Sequence, residues 1–228
     1  MKISVNIASL VERKEQLINT INSLIDQVDI INVCLNNYLD CPFEHPKVNY
    51  FYSDNVFGDA GRFLFLKDFE GYALFADDDL IYPETYVKDM IEAIDKFGIV
   101  SHHGRIFTKF PIDSYYKTPS HRFRCLDEVK TTEPVQIAGS GVLGFHTKTI
   151  KPSMNIFKTK NMSDIYFSLY ADILNIPIWV LAHEKGYIKY QDIDPDKTIW
   201  GQKVNDDEVE TKVVNDYFMN KLEQLAKL

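Results

Sequence analysis

Apolar and polar positions change their period several times along the chain, and each change marks an element. "KISVNI" (2–7) is short and β-branched, the pattern of a buried strand. In "ERKEQLINTINSLIDQ", Leu17, Ile18, Ile21, Leu24 and Ile25 recur at three- and four-residue spacing, which sets them on one helical stripe. "IINVCL" (30–35), "VNYFY" (48–52) and "YALFA" (72–76) read as three further strands, the first two separated by the turn-rich "NNYLDCPFEHP". "ETYVKDMIEAIDKFG" returns to helical period through Tyr86, Val87, Met90, Ile91, Ile94 and Phe97, with Gly98 where a C-terminal cap belongs. "IVS" (99–101) opens another strand. Strands alternating with helices predict an α/β fold with a mostly parallel sheet.

Beyond residue 105 the pattern loosens. Residues 105–133 are polar, aromatic and irregular, broken by Pro111 and Pro119. "PVQIAGSGVLGFHT" (134–147) predicts two strands about a glycine turn, a plain hairpin being its simplest form. "SDIYFSLYADILN" (163–175) predicts a helix and "PIWVL" (177–181) a strand. "NDDEVETKVVNDYFMNKLEQLAKL" closes as an amphipathic helix, with Val209, Val213, Tyr217, Leu222 and Leu225 among its apolar positions.

Composition narrows the function classes. A chain of 228 residues with 45% hydrophobic and 13% aromatic content builds a sizeable core in one domain. A net charge of −8 argues against a nucleic-acid binder, which needs a basic face. Three cysteines (Cys34, Cys41, Cys125) form neither a disulfide framework nor a CxxC metal site, which points to a reducing, cytoplasmic setting. The N-terminal apolar run is too short for a signal peptide, and no stretch approaches the roughly 20 apolar residues of a bilayer span.

The chemistry concentrates in "YALFADDDLIYPE" (72–84), where an apolar strand runs into three aspartates. Ligands of parallel α/β sheets bind beyond the carboxyl ends of the strands. In extended backbone Asp77 and Asp79 point the same way and Asp78 the other. Two converging carboxylates suit a hard divalent cation, Mg²⁺ or Mn²⁺, that keeps positions open for phosphate oxygens. A solvated acidic turn leading the next helix accounts for the same three residues.

The order strand, helix, strand, polar loop, strand, polar segment, apolar strand, Asp-x-Asp and "LIYP" resembles the nucleotide-sugar-binding half of GT-A-type glycosyltransferases, particularly family-2-like enzymes. The likeness covers roughly residues 3–100 and is best in "FADDDLIYPETYV". Arg13 stands near the family's frequent arginine, and "SDNVFGDAGRF" (53–63) is similar to its Asn-x-Gly-x-x-x-Ala-Arg-Asn segment. Ala8-Ser9 replace the usual Pro-Thr, and the asparagine before the arginine is missing. The resemblance implies a single GT-A-type, Rossmann-like domain: residues 1–100 as the nucleotide-sugar half, 101–203 as the acceptor-side half and 204–228 as the C-terminal helix.

It also implies roles. Ala8 and Ser9 would line the base and ribose pocket, with Asn36 or Asn37 and Asp54 after the next two strands, although Asn and Asp also serve turns. Arg62 would face the pyrophosphate. Asp77 and Asp79 would hold Mn²⁺ or Mg²⁺, Asp78 would join the substrate-binding set, and His183 is either a third ligand or a structural histidine. His102 and His103 read as scaffold or acceptor-side residues. Asp164 would be the base that deprotonates the acceptor, or an acid favoured by its helix N-terminus. Trp200 either closes over a substrate or pins the final helix. The implied reaction is inverting, metal-dependent transfer from a nucleotide-sugar, UDP-linked by preference, to a glycan or glycolipid. A sugar nucleotidyltransferase would carry a glycine-rich loop after the first strand, which "IASLVERKEQL" lacks; a non-catalytic nucleotide-sugar-binding module is the remaining alternative. The final helix packs on the core, joins two copies, or rests on the inner face of a membrane, though its mixed charges give it no strongly basic face.

Overall fold

Two apolar faces on one sheet set the architecture. The computed structural model describes residues 1–194, 196 and 198–225, the last of these by its backbone alone. The first half runs β1 (Ile3–Leu10), α1 (Lys14–Leu24), β2 (Ile30–Asn36), β3 (Val48–Ser53), a 3-10 stretch (Gly58–Leu66), β4 (Tyr72–Asp77), β5 (Leu80–Ile81), α2 (Tyr86–Phe97) and β6 (Ile99–Ser101). The second half adds β7 (Gly104–Phe107), β8 (Ser120–Phe123), β9 (Glu133–Val135), β10 (Ile137–Ala138), a 3-10 turn (Ser140–Val142), β11 (Leu143–His146), α3 (Ser163–Ile173), β12 (Ile178–Val180), β13 (Lys189–Tyr190), α4 (Ile199–Lys203) and α5 (Glu208–Leu225). Residues 226–228 of the expected last helix lie outside the described residues.

The main sheet has the order β3-β2-β1-β4-β11-β6-β12-β9. β1 to β4 are parallel neighbours, whereas β11 runs antiparallel between β4 and β6, and β9 runs antiparallel along β12. Side chains alternate along β4. Leu74 and Ala76 join Val5, Ile7, Leu17, Ile21, Met90 and Ile94 under α1 and α2, while Ala73 and Phe75 join Phe63, Phe145 and Phe167 on the other face. Both faces are therefore covered, as a mostly parallel sheet requires. Gly98 closes α2 at φ 86°, its N–H donating to Ile94 O at 2.8 Å.

Two expectations are corrected. Residues 134–147 are not a hairpin: β10 pairs with β7 in a separate small sheet, and β11 enters the main sheet. A 3-10 turn separates them, and the gap between β4 and β6 takes β11 because Phe145 fills the aromatic core there. The buried line of α5 is Glu210, Val214 and Phe218, whereas Val209 and Leu222 are exposed. That line packs on Met162, Ile165 and Leu169 beside and within α3, and Tyr217 Oη donates to Asp172 at 2.5 Å.

A ladder of asparagines fixes the register of the parallel strands. Asn6 pairs with Asn32, and Asn32 with Asn49, across adjacent strands. Asn32 Nδ2 donates to Asn6 Oδ1 at 2.9 Å, and Asn6 Nδ2 donates to Leu74 O at 3.1 Å. Both Asn6 and Asn32 are buried, so a one-residue slip would strand their amides away from partners. Asn6→Val is expected to cost about 1–3 kcal/mol in urea unfolding, because it leaves Asn32 unpaired. The double substitution Asn6→Val/Asn32→Val should cost less than the sum of the two single ones.

Candidate functional site

Parallel pairing brings the carboxyl ends of β1, β2 and β4 to one level, Ala8 beside Asp77 and Leu10 beside Asn36. The loops leaving those ends enclose a cleft of about 780 Å³. Its wall contains Ala8, Ser9, Asn36, Arg62, Asp77, Asp78, Asp79 and Trp200, so most residues singled out from the sequence meet there. Asp54, Asp164 and His183 are not in that wall. The residue after Asp54, Asn55, takes its place. Asn37, Asn55 and Asn161 all line the cleft with positive φ (64°, 63° and 61°), a conformation asparagine tolerates better than other side chains that carry a Cβ.

Three consecutive carboxylates survive here because two arginines reach them. Arg13, leaving the turn after β1, places Nη1 2.8 Å from Asp78 Oδ1 and 3.2 Å from Asp79 Oδ2. Asp78 and Asp79 thus share one cation instead of pointing to opposite sides, because β4 ends at Asp77 and a turn follows. Arg62, buried in the 3-10 stretch after β3, places Nη1 2.8 Å from Asp77 Oδ1. Burial opposes the charge on Arg62, but Asp77 and Asp59 outweigh it and hold the guanidinium protonated. Asp78 is buried, and it is held by Arg13 and by Ser9. Asp79 is pushed up to about 7, by burial first and then by the charges of Asp77 and Asp78, with Arg13 and Arg62 acting the other way. The arginines thus leave part of the negative charge uncompensated.

Asp77 is also gripped through its backbone. Its N–H donates to Tyr82 Oη at 2.9 Å, and Tyr82 Oη donates to Gly141 O at 2.8 Å. Gly141 lies in the turn before β11, which begins at the cleft because β11 runs antiparallel to β4. A Cβ at Gly141 would stand 1.8 Å from Asp77 Oδ2, so only glycine admits the carboxylate at this place. The Gly-x-Gly segment noted in the sequence therefore borders the acidic centre. A further prop is Gln191, whose N–H donates to Asp79 O at 2.9 Å and whose side chain ties that turn to Gln16 and Thr20 of α1.

Several cleft residues had no signal in the sequence. Asp59 accepts from Ser163 N–H at 3.2 Å and from Ser163 Oγ at 2.5 Å, linking the first half to the start of α3. Burial pushes its acid up, against Arg62 and Ser163. Lys160 and Tyr190 also line the cleft. These are contacts between distant segments, and no local spacing reports them. Cys125 lines the wall as well, but burial pushes its thiol up to about 12, which keeps it neutral and poorly nucleophilic.

The residues outside the wall have clear surroundings. Asp164 accepts from Tyr115 Oη at 2.8 Å and is pushed up to about 6 by burial, then by Asp59. His183 bridges to Val129 and meets His102 edge-on and Tyr187 at a tilt, with Nδ1 2.8 Å from Leu181 O and Nε2 3.3 Å from Arg124 O. Trp200 is 54% exposed on α4 and lines the cleft.

The oxygen-only donor set fits a hard divalent cation. Asp77 and Asp79 both open on the cleft, and their excess negative charge is what such an ion would relieve. Among the described residues no three His, Cys, Asp or Glu side chains form a ready metal cage. Two carboxylates completed by substrate oxygens is the usual provision for magnesium.

Strand order, the antiparallel insertion and a cleft at the parallel strand ends define the GT-A-type, Rossmann-like fold, with a C-terminal helix added. No protein family's sequence profile matches the chain, and no curated protein matches it. Solved structures do. The Staphylococcus aureus TarS 1–349 structure in complex with UDP-GlcNAc is similar at 20% identity and TM-score 0.55, over 85% of this chain and 59% of that one. A second structure of S. aureus TarS 1–349 is similar at 17% identity and TM-score 0.51, over 96% of this chain and 71% of that one. The chain thus spans 59% of the length of the first of these proteins. No helix among the described residues is long and apolar enough to cross a membrane.

Tyr82→Phe tests the grip on Asp77. It leaves a buried N–H and a buried carbonyl without their partner, and is expected to cost about 1–3 kcal/mol in denaturant unfolding. Unchanged stability would mean that Tyr82 does not carry the Asp77–Gly141 contact.

Proposed function

We propose that this protein is a metal-dependent glycosyltransferase that moves a sugar from a nucleotide-sugar to a glycan or glycolipid acceptor. The observation that carries the reading is the convergence of Asp77, Asp79 and Arg62 at the mouth of the parallel strands, in a cleft large enough for a nucleoside diphosphate and a hexose. The similar fold of S. aureus TarS holds UDP-GlcNAc in its crystal structure, which supports a UDP-sugar as donor here.

Breaking the anomeric C–O bond leaves negative charge on the departing diphosphate. A divalent cation held by Asp77 and Asp79 would supply Lewis-acid stabilisation of that charge. Arg62, fixed by Asp77 and by its Nε–H donated to Asp59 O at 3.0 Å, adds a preorganised positive charge on the same side. Ser9, Asn36 and Asn37, at the ends of β1 and β2, orient the nucleoside. Trp200, exposed on the cleft's rim, covers the bound substrate and excludes water. Asp164, beside Tyr115 and outside the donor cleft's wall, is the proposed base that takes the proton from the acceptor hydroxyl. Its pKa, raised to about 6, suits a base working near neutral pH, since it is ionised above that value while staying basic enough to accept a proton.

Calorimetry with UDP checks the donor side. Affinity is expected to rise on adding Mn²⁺ or Mg²⁺ and to fall in the Asp79→Ala variant, whose fold should persist because no core cavity opens. Equal affinity in EDTA would overturn the metal assignment.

Asp164→Asn checks the chemistry. It should retain UDP and metal binding and lose roughly 10²-fold or more in transfer rate, the usual scale of general base catalysis. In the parent protein the rate should fall as the pH drops through about 6, because the base must be ionised. A pH profile flat between 5 and 8, with turnover unchanged in the variant, would remove Asp164 from the mechanism. The first-formed product should have the anomeric configuration inverted relative to the donor, as read by NMR.

A further inference from the structure

One face of the small sheet carries a cluster of cations that the donor site does not use. β7 and β8 pair antiparallel with Arg105 directly opposite Arg122. Alternation carried one step beyond the strands adds Arg124 beside Arg122 and His103 beside Arg105 on the same face. The charges sense one another. The charged form of Arg122 is disfavoured by burial and then by Arg105 and Arg124, and His103 is pushed down to about 4 by burial first, then by Arg105, with Arg124 and Arg122 adding to it.

Among the described residues no carboxylate forms an ion pair with any of the three arginines, although Arg105 acts at longer range on Asp164. Arg105 and Arg122 are held by neutral groups instead, and Arg124 is exposed. The Arg105 guanidinium lies 4.3 Å from the centre of the Tyr115 ring and donates to Tyr115 O at 2.6 Å. Arg122 donates to Tyr116 O and, at 3.2 Å, to Ser120 Oγ. Such contacts fix the positions of the cations and leave their charge available. Like charges facing across a ladder are destabilising, and this chain, at net −8, has carboxylates to spare. An unpaired arginine ladder is a stability cost that an anionic ligand would remove.

Its position says which ligand. His103, at the inner end of this face, lines the cleft, so the arginines lead outward from the reaction centre. Arg105 also acts on Asp164. The donor's diphosphate would have Arg62 and a carboxylate-held cation at the strand ends, in a cleft that none of the three arginines lines. We infer that the acceptor is an anionic glycan or polyol chain, whose phosphate or carboxylate groups are seated by Arg105, Arg122 and Arg124 on the outer face of the β7–β8 ladder. The inference rests on the transferase reading above. Paired guanidiniums suit either anion, since both accept two parallel N–H bonds.

The test uses the full chain and the double variant Arg122→Gln/Arg124→Gln, both positions being exposed and outside the donor cleft. Calorimetry would follow three probes: a glycerol phosphate hexamer, an oligogalacturonate of equal charge, and neutral dextran. The parent should bind at least one anionic probe, more weakly as salt rises, and should not bind dextran. The variant should lose 10-fold or more in affinity for that probe, while UDP with Mn²⁺ binds as in the parent. Preference for the hexamer or the oligogalacturonate identifies phosphate or carboxylate. Binding of neither anion, equal binding by the variant, or an equal loss of UDP affinity would overturn the inference. So would binding only to phosphatidylglycerol vesicles, which would make the face a membrane contact. Failure of UDP to bind the parent would defeat the transferase reading instead, whatever the anionic probes do.

Discussion

The structure turns on keeping three adjacent carboxylates together at the end of one strand. Unit charges about 4 Å apart interact by roughly 4 kcal/mol at the effective dielectric of a protein surface, so Asp77–Asp79 could not be sheltered without cations. Arg13 and Arg62 supply them, one from behind β1 and one from behind β3. Each arginine therefore fastens a different loop to the tip of β4. Removing one partner of such a buried pair leaves a charge uncompensated, which is worse than never having had the pair.

That electrostatic knot fixes the cleft from one side, and the antiparallel insertion fixes it from the other. β11 starts where the parallel strands end, so its preceding turn must pass Asp77. Gly141 makes the passage sterically feasible, and Tyr82 stitches the two backbones together. Asp59 and Ser163 add a second seam, from the 3-10 stretch to the start of α3. The acidic centre is consequently a junction of both halves of the chain rather than a loop on the first.

Charge is segregated across this junction. Carboxylates gather at the strand ends, while the arginines of the β7–β8 face stand outside with tyrosines rather than acids for company. For the proposed transfer, a centre that takes a cation and a diphosphate needs the first arrangement and the proposed anionic acceptor the second; keeping the two apart prevents them from neutralising one another.

Period and local chemistry determined much of this in advance. The stripe Leu17, Ile21, Leu24 and Ile25 is buried along α1 and the 3-10 turn that follows it, and the capping Gly98 ends α2, because both signals depend only on near neighbours in the chain. The Asp-x-Asp after an apolar strand was legible for the same reason, whereas the placement of Ala8, Ser9, Asn36 and Arg62 near it was implied by the family resemblance. Tertiary structure alone decided that β11 would separate from β10 and enter the main sheet, that α5 would bury Glu210, Val214 and Phe218 rather than its other apolar positions, and that Asp59, Tyr82 and Gly141 would build the site. Each depends on which distant segment fills a space or satisfies a buried polar group. Glu210 sits on the buried line of α5, near Lys203, a placement that no hydrophobic period could have foretold.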